Sequence, residues 1–123
     1  AKLRGENGCP WDRKQTAQTL VKYIRNETEE LIAAIENKDK ENICEELGDV
    51  LYLICMITAI NEEQGNFTFP QVVQGINEKL IRRHPHVFAG TRYKDEEELA
   101  RQWEAIKAEE KREHRQAAEK REP

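Results

Sequence analysis

Little in this chain suits a sheet, a disulfide framework or a membrane. Aromatic residues fill only 7% of the 123 positions, beside six glycines and four prolines, so the usual material of strands and tight turns is scarce. The three cysteines, Cys9, Cys44 and Cys55, are odd in number and fall in no C-x-x-C spacing. That excludes a disulfide scaffold and a structural zinc as first readings and points to a reducing, cytoplasmic setting. No stretch is long and apolar enough to span a bilayer, and the first residues carry no apolar signal segment, so a soluble protein with no membrane partner is expected. The chain opens at Ala1 on what reads as the middle of an element, as a trimmed or processed piece of something longer would.

What the chain does have is charge. Charged residues make up 36% of it and apolar residues 37%, a balance that favours long helices around one small core with little apolar surface to spare. The expected fold is all-α, a bundle of about four helices in a single domain over residues 1–111, its core completed by oligomerisation, followed by a polar tail over 112–123. The net charge of −4 hides a strong asymmetry. Between Glu27 and Glu63 eleven acids face two bases, whereas from Lys79 to Lys94 there are five bases and no acid. Acidic helices of this kind repel a phosphate backbone, so nucleic acid is not an expected partner.

Arg4 to Asp12, with Gly5, Gly8 and Pro10, reads as a loop in which Trp11 is a hydrophobic plug and Cys9 a small buried residue. Asp12 or Thr16 is placed to cap a helix over about 16–36, with Leu20, Ile24, Leu31 and Ile35 as its buried stripe. A break at Asn37-Lys38-Asp39 precedes a second helix over about 40–64, capped by Asp39, and so short a connection makes the two antiparallel neighbours. Thr68-Phe69-Pro70 opens a third helix with a stripe of Val72, Ile76, Leu80 and Ile81, ending near Arg83. His84 to Gly90 reads as an extended turn. A fourth helix is expected from about Asp95 with Leu99, Trp103 and Ile106 on one face, fraying or disordered from about Glu109.

The informative pattern is a pair of acidic motifs, Glu27-x-x-Glu30 and Glu46-x-x-Asp49. Residues three apart share a helix face, and Glu27 falls on the apolar stripe of its segment. Glu46 and Asp49 open the run Val50 to Ile57, apolar almost without a break and expected to be buried on most sides. Four carboxylates in a helix interface need counter-charge, and a hard divalent cation supplies it most simply. Oxygen donors with no histidine or thiolate among them suit Mg2+, with Mn2+ as a substitute, and magnesium in such a shell commonly shares it with a substrate phosphate. Hydrolysis of a polyphosphate is the natural reaction. Di-iron bundles use Glu-x-x-His on two helices, and the histidines here, His84, His86 and His114, lie outside the acidic hairpin.

Lys79 and Arg83 stand one turn apart and suit two phosphates of a nucleotide, or equally a solvated basic helix end. Trp103 and Lys107 repeat the spacing as core tryptophan plus surface lysine, or as a base-stacking ring with a phosphate-directed cation. His84-Pro85-His86 is more economically a structural turn than a metal site.

Taken together, Cys9-Pro10-Trp11-Asp12 with Gln15-Thr16, Glu27-x-x-Glu30, Glu45-Glu46-Leu47-Gly48-Asp49, Lys79 through Phe88, and Trp103-Glu104-x-Ile106-Lys107 resemble the MazG family of nucleoside triphosphate pyrophosphohydrolases, from about Leu3 to Lys111. The resemblance implies an all-α fold, homodimers or higher homo-oligomers, and magnesium-dependent hydrolysis of nucleoside triphosphates to the monophosphate and pyrophosphate. By position it implies Glu27, Glu30, Glu46 and Asp49 as metal ligands, Glu45 as a helper acid, and Lys79, Arg83, Trp103 and Lys107 as nucleotide contacts. Many relatives carry a further glutamate where this chain has Asn26, and many carry two such domains where this sequence has one. The expected chemistry is attack of a metal-activated water on the α-phosphorus, with Glu30 or Glu45 taking the proton, broad in base preference. The alternatives are a pyrophosphatase specialised for one nucleotide and a non-catalytic acidic helical adaptor.

Overall fold

The computed structural model describes residues 2–121. Among them are six α-helices and no strand: α1 (Pro10–Lys14), α2 (Val21–Glu36), α3 (Lys40–Glu63), α4 (Phe69–Arg83), α5 (Pro85–Phe88) and α6 (Glu96–Arg121), preceded by a 3-10 turn at Lys2–Arg4. The all-α expectation holds, with four long helices and two short ones. The chain divides into two compact units, one up to Val72 and one from Val73.

In the first unit α2 packs against α3 through a core of Leu20, Leu53, Met56 and Ile60, flanked by Tyr23, Ile24 and Ile57. The connection is short because Lys38 takes a left-handed turn at φ 55° and the Asp39 side chain accepts from the Asn42 N–H at 3.2 Å, capping α3 as its sequence position predicts. Residues near the start of α2 therefore meet the second half of α3. α2 begins at Val21 rather than near Thr16, because Thr16 and Thr19 exchange side-chain hydrogen bonds in a turn of their own before it. Asp12 caps nothing; it lies inside α1 and is buried.

Burial is narrower than the apolar pattern suggests. α3 hides Leu53, Met56 and Ile60 against α2, while Leu51 and Ile54 stand exposed within the run expected to be covered on most sides. Ile35 of α2 is likewise 53% exposed. Periodicity marks which side chains are apolar, and one neighbouring helix covers only one face.

In the second unit the segment expected as an extended turn contains α5, begun by Pro85 at the first helical position, where its missing N–H goes unused. Asp95 accepts from the Glu98 N–H at 2.9 Å and caps α6. That helix runs past Glu109 to Arg121 instead of fraying, since no glycine or proline interrupts it and nearly every residue is a strong helix former. The apolar residues Ile76, Leu80 and Ile81 of α4 are all exposed, as is Val72 at the end of the first unit.

Candidate metal and substrate site

The antiparallel pairing of α2 and α3 brings Glu27 opposite Glu46 and Asp49, each offering a carboxylate oxygen within 4.8 Å of the others. Glu46 is buried and Glu27 half-buried, and one oxygen of each is shut off from solvent with no hydrogen-bond partner among the described residues. Burial, followed by the adjoining Glu27 carboxyl, pushes the Glu46 carboxyl up to about 7. Glu27 is also raised, again chiefly by burial. Orphaned buried carboxylate oxygens are expensive, and three all-oxygen donors in one small volume fit a hard divalent cation. Glu27, Glu46 and Asp49 are three of the four residues expected as ligands.

Glu30 is exposed and outside that trio, although its charge helps raise both Glu27 and Glu46. Glu45 is exposed and also outside it, as expected of a residue turned about 100° from Glu46 around the helix. Asn26 is exposed on α2.

Four residues at this site were not singled out for it by the sequence. Trp11, Tyr23, Tyr52 and Leu53 line, with Glu27 and Asp49, a cavity of about 200 Å3. Trp11 is 41% exposed and meets Tyr23 edge to face at 5.4 Å, so it is a rim residue rather than a plug, and Cys9 beside it is only half-buried. The Tyr52 hydroxyl donates to the buried Asp12 carboxylate in a short hydrogen bond. That bond holds Asp12 below the usual carboxylate range, and burial together with the same bond pushes Tyr52 up to about 12. The available signal was spacing: Tyr52 lies three residues past Asp49, on the same face of α3.

Arg4 fastens this end of the unit. Its guanidinium donates to the carbonyls of Asp12 at 2.5 Å and Gln15 at 2.9 Å and forks onto both oxygens of Glu63, lowering that acid. Gly8 permits the turn before α1, since a Cβ there would collide with the Leu3 carbonyl.

The expected nucleotide contacts lie in the second unit. Arg83 is bound to Glu110, with Nη2 to Oε2 at 2.7 Å, and Arg82 adds a bond at 2.7 Å. These bonds, Arg83 first, drive the Glu110 carboxyl down to about 2. Trp103 carries the Lys107 ammonium 4.8 Å from its ring centroid, and Lys107 also pairs with Glu104 at 3.7 Å. Arg83 and Trp103 line a cavity of about 490 Å3 with His84, His86, Leu99 and Gln102 among its other walls; Lys79 and Lys107 do not line it. Lys79 is exposed on α4.

Among the described residues the chain is all-helical, and its central hairpin gathers three carboxylates, one buried, one half-buried and one exposed, a donor set that suits a hard divalent cation. Residues 15–88 match the family described as MazG nucleotide pyrophosphohydrolase domain, and the chain belongs to that family. It is 50% identical over 113 residues to the nucleoside triphosphate pyrophosphohydrolase/pyrophosphatase MazG of Thermotoga maritima, covering 89% of this chain and 42% of that protein. It is 49% identical over 109 residues to the uncharacterized protein YabN of Bacillus subtilis, covering 89% of this chain and 22% of that one. Against the nucleoside triphosphate pyrophosphohydrolase of Escherichia coli K12 the identity is 42% over 106 residues, 86% of this chain and 40% of that protein. The chain thus spans less than half the length of these curated relatives. A crystal structure of a mazG-related protein from Thermotoga maritima superposes with a TM-score of 0.68 at 29% identity, covering 81% of this chain and 87% of that one. No helix among the described residues is long and apolar enough to cross a membrane.

Proposed function

We propose that this chain hydrolyses nucleoside triphosphates to the monophosphate and pyrophosphate, using a divalent cation, Mg2+ or in its place Mn2+, held by Glu27, Glu46 and Asp49 with Glu30 as the fourth ligand. The observation that carries the reading is the pair of buried, unpartnered oxygens on Glu27 and Glu46 next to Asp49. Magnesium in that position supplies charge neutralisation at the triphosphate and a lowered pKa for the attacking water. In this reading Glu30, exposed on α2, takes the proton of the water that attacks the α-phosphorus, and Glu45 is the second candidate for that role. Lys79, Arg83 and Lys107 are the cations for phosphate and Trp103 the ring for a base, with Arg83 exchanging Glu110 for substrate.

Broad base preference belongs to this reading, because stacking on an aromatic ring accepts any base. So does assembly into a homodimer or higher homo-oligomer, supported by the exposed Ile32, Ile35, Leu47, Leu51 and Ile54 on α2 and α3. The three free cysteines, two of them exposed, suit a reducing cytoplasm. Incubation with magnesium and a panel of ribo- and deoxyribonucleoside triphosphates, with products separated by anion exchange, tests the reading. Monophosphate plus pyrophosphate supports it, and one dominant substrate narrows it to a specialised enzyme. Diphosphate plus orthophosphate overturns attack at the α-phosphorus, and absence of any product favours the adaptor.

A further inference from the structure

We infer that Gln102 and His86, which line one cavity with Trp103, rank the bases that stack there, favouring those with an exocyclic amino group such as adenine and cytosine. The inference deepens the triphosphate reading and rests on it, because it assigns what meets the edge of the base that Trp103 stacks. The cavity lies within the second unit and measures about 490 Å3. That falls inside the roughly 300 to 1,000 Å3 of ordinary small-molecule pockets, enough for a base. Four side-chain polar atoms among the described residues are buried without a hydrogen-bond partner. Two of them, on Glu27 and Glu46, mark the candidate cation site, and the other two, His86 Nδ1 and Gln102 Oε1, belong to residues of this cavity wall. An unpaired buried polar atom is costly, and a ligand with complementary groups relieves that cost.

The direction of the Gln102 amide gives the preference its sign. Gln102 Nε2 donates to the Arg92 carbonyl at 3.0 Å. A carbonyl only accepts, so the amide cannot turn over without setting two oxygens against each other. Oε1 is thereby held as an acceptor, and its complement is an N–H donor. Glu96 adds a second acceptor to the wall, while the guanidinium of Arg83, the wall's strongest donor, is already bonded to Glu110. The His86 ring meets Tyr93 edge to face at 5.5 Å and lies 5.6 Å from the ring of His84, so its place is also fixed. An imidazole nitrogen donates or accepts according to its tautomer, and so it suits either a ring nitrogen or a ring N–H of a base. Adenine and cytosine offer Gln102 an amino group. Hypoxanthine and uracil offer a carbonyl oxygen in the same position, acceptor against acceptor. Stacking on Trp103 still admits all four, so the result is a ranking within a broad substrate range.

The test measures kcat/KM for two substrate pairs that exchange an amino group for a carbonyl, ATP with ITP and CTP with UTP. In the wild type the amino member is expected to lead by about tenfold, the size of one hydrogen bond, with the difference carried in KM. Gln102→Met, which keeps the length and removes the acceptor, should bring both ratios close to one. A ratio taken on one preparation does not depend on how much of the variant folds. A merely structural Gln102 would therefore lower both members of a pair together and keep the ratio, and that result would overturn the inference. A wild type with no preference in either pair would overturn it as well. His86→Phe keeps a ring against Tyr93 and should raise KM for all four substrates; an unchanged KM would remove His86 from the site. Calorimetric binding of ATP and ITP in the presence of Ca2+ needs no turnover and separates the two readings. A binding preference for ATP without release of pyrophosphate would remove the hydrolase reading and leave the base site standing. Equal binding of both, with pyrophosphate released, would do the reverse.

Discussion

Glu27 and Glu46 face each other across α2 and α3, each with one buried oxygen lacking a hydrogen-bond partner. Without a cation this pairing favours protons. Glu46 titrates near 7, above its ordinary value of 4.5, so the folded state binds more protons than the unfolded one between those two pH values. Stability of the metal-free protein is therefore expected to fall as pH rises from about 4.5 to about 7 and to level off above. A cation competes with the same protons, so magnesium should raise the melting temperature more at pH 8 than at pH 6. Thermal melts in chelator and in magnesium across that range check both signs.

Replacing Glu46 by Gln keeps the shape and removes the buried charge. The metal-free Glu46→Gln protein is expected to melt higher than wild type at pH 8, to lose its response to magnesium, and to turn over nucleotide at least about a hundredfold more slowly, since even supporting groups around a metal carry effects of that order. Asp49→Asn should behave alike. Glu30→Gln should lose turnover while keeping more of the magnesium-induced shift, because Glu30 stands outside the trio. A Glu46→Gln protein with full activity would remove Glu46 from the site.

These carboxylates were legible in the sequence because i,i+3 spacing and a three-residue connection leave an antiparallel hairpin few ways to arrange them. Asp39 was legible for the same local reason, as a capping residue ahead of an apolar run. What covers a face was not: Ile35, Leu51 and Ile54 look like core by type and lie open. The grip of Glu110 on Arg83 spans 27 positions and left no local trace, so Arg83 read as a phosphate-binding cation or, equally, a solvated helix end. Trp11 and Asp12 read as plug and cap because nothing nearby in sequence announces Tyr52, 40 positions on. The long last helix was underestimated because polarity was read as disorder, whereas an uninterrupted run of strong helix formers sustains a solvated helix.

The exposed apolar face of α3 gives a prediction about assembly. Leu51→Glu and Ile54→Glu place charge where a partner copy would pack, without touching Leu53, Met56 or Ile60. Light scattering after gel filtration should show smaller particles than wild type, with helical content retained. Unchanged mass would place any self-association elsewhere.

Asp39 supports α3 by one hydrogen bond to the Asn42 N–H. Its loss in Asp39→Ala should lower stability by about 1 kcal/mol in a denaturant titration. Asp39→Asn, which keeps the acceptor, should recover most of it.

Glu110 offers a test of whether Arg83 serves substrate. Hydrogen bonds from Arg83, and then from Arg82, pull Glu110 down to about 2, so its contribution to folding is present above about pH 4.5 and disappears as pH falls through about 2. Glu110→Gln should therefore lower the melting temperature at pH 7 and narrow its difference from wild type toward pH 2. The same change loosens a guanidinium that a triphosphate must otherwise win from a carboxylate. If Arg83 binds phosphate, Glu110→Gln lowers KM for nucleotide while Arg83→Ala raises it in either background. A KM indifferent to both substitutions would make the pair a structural clasp on α4 and α6 and return phosphate binding to Lys79 and Lys107.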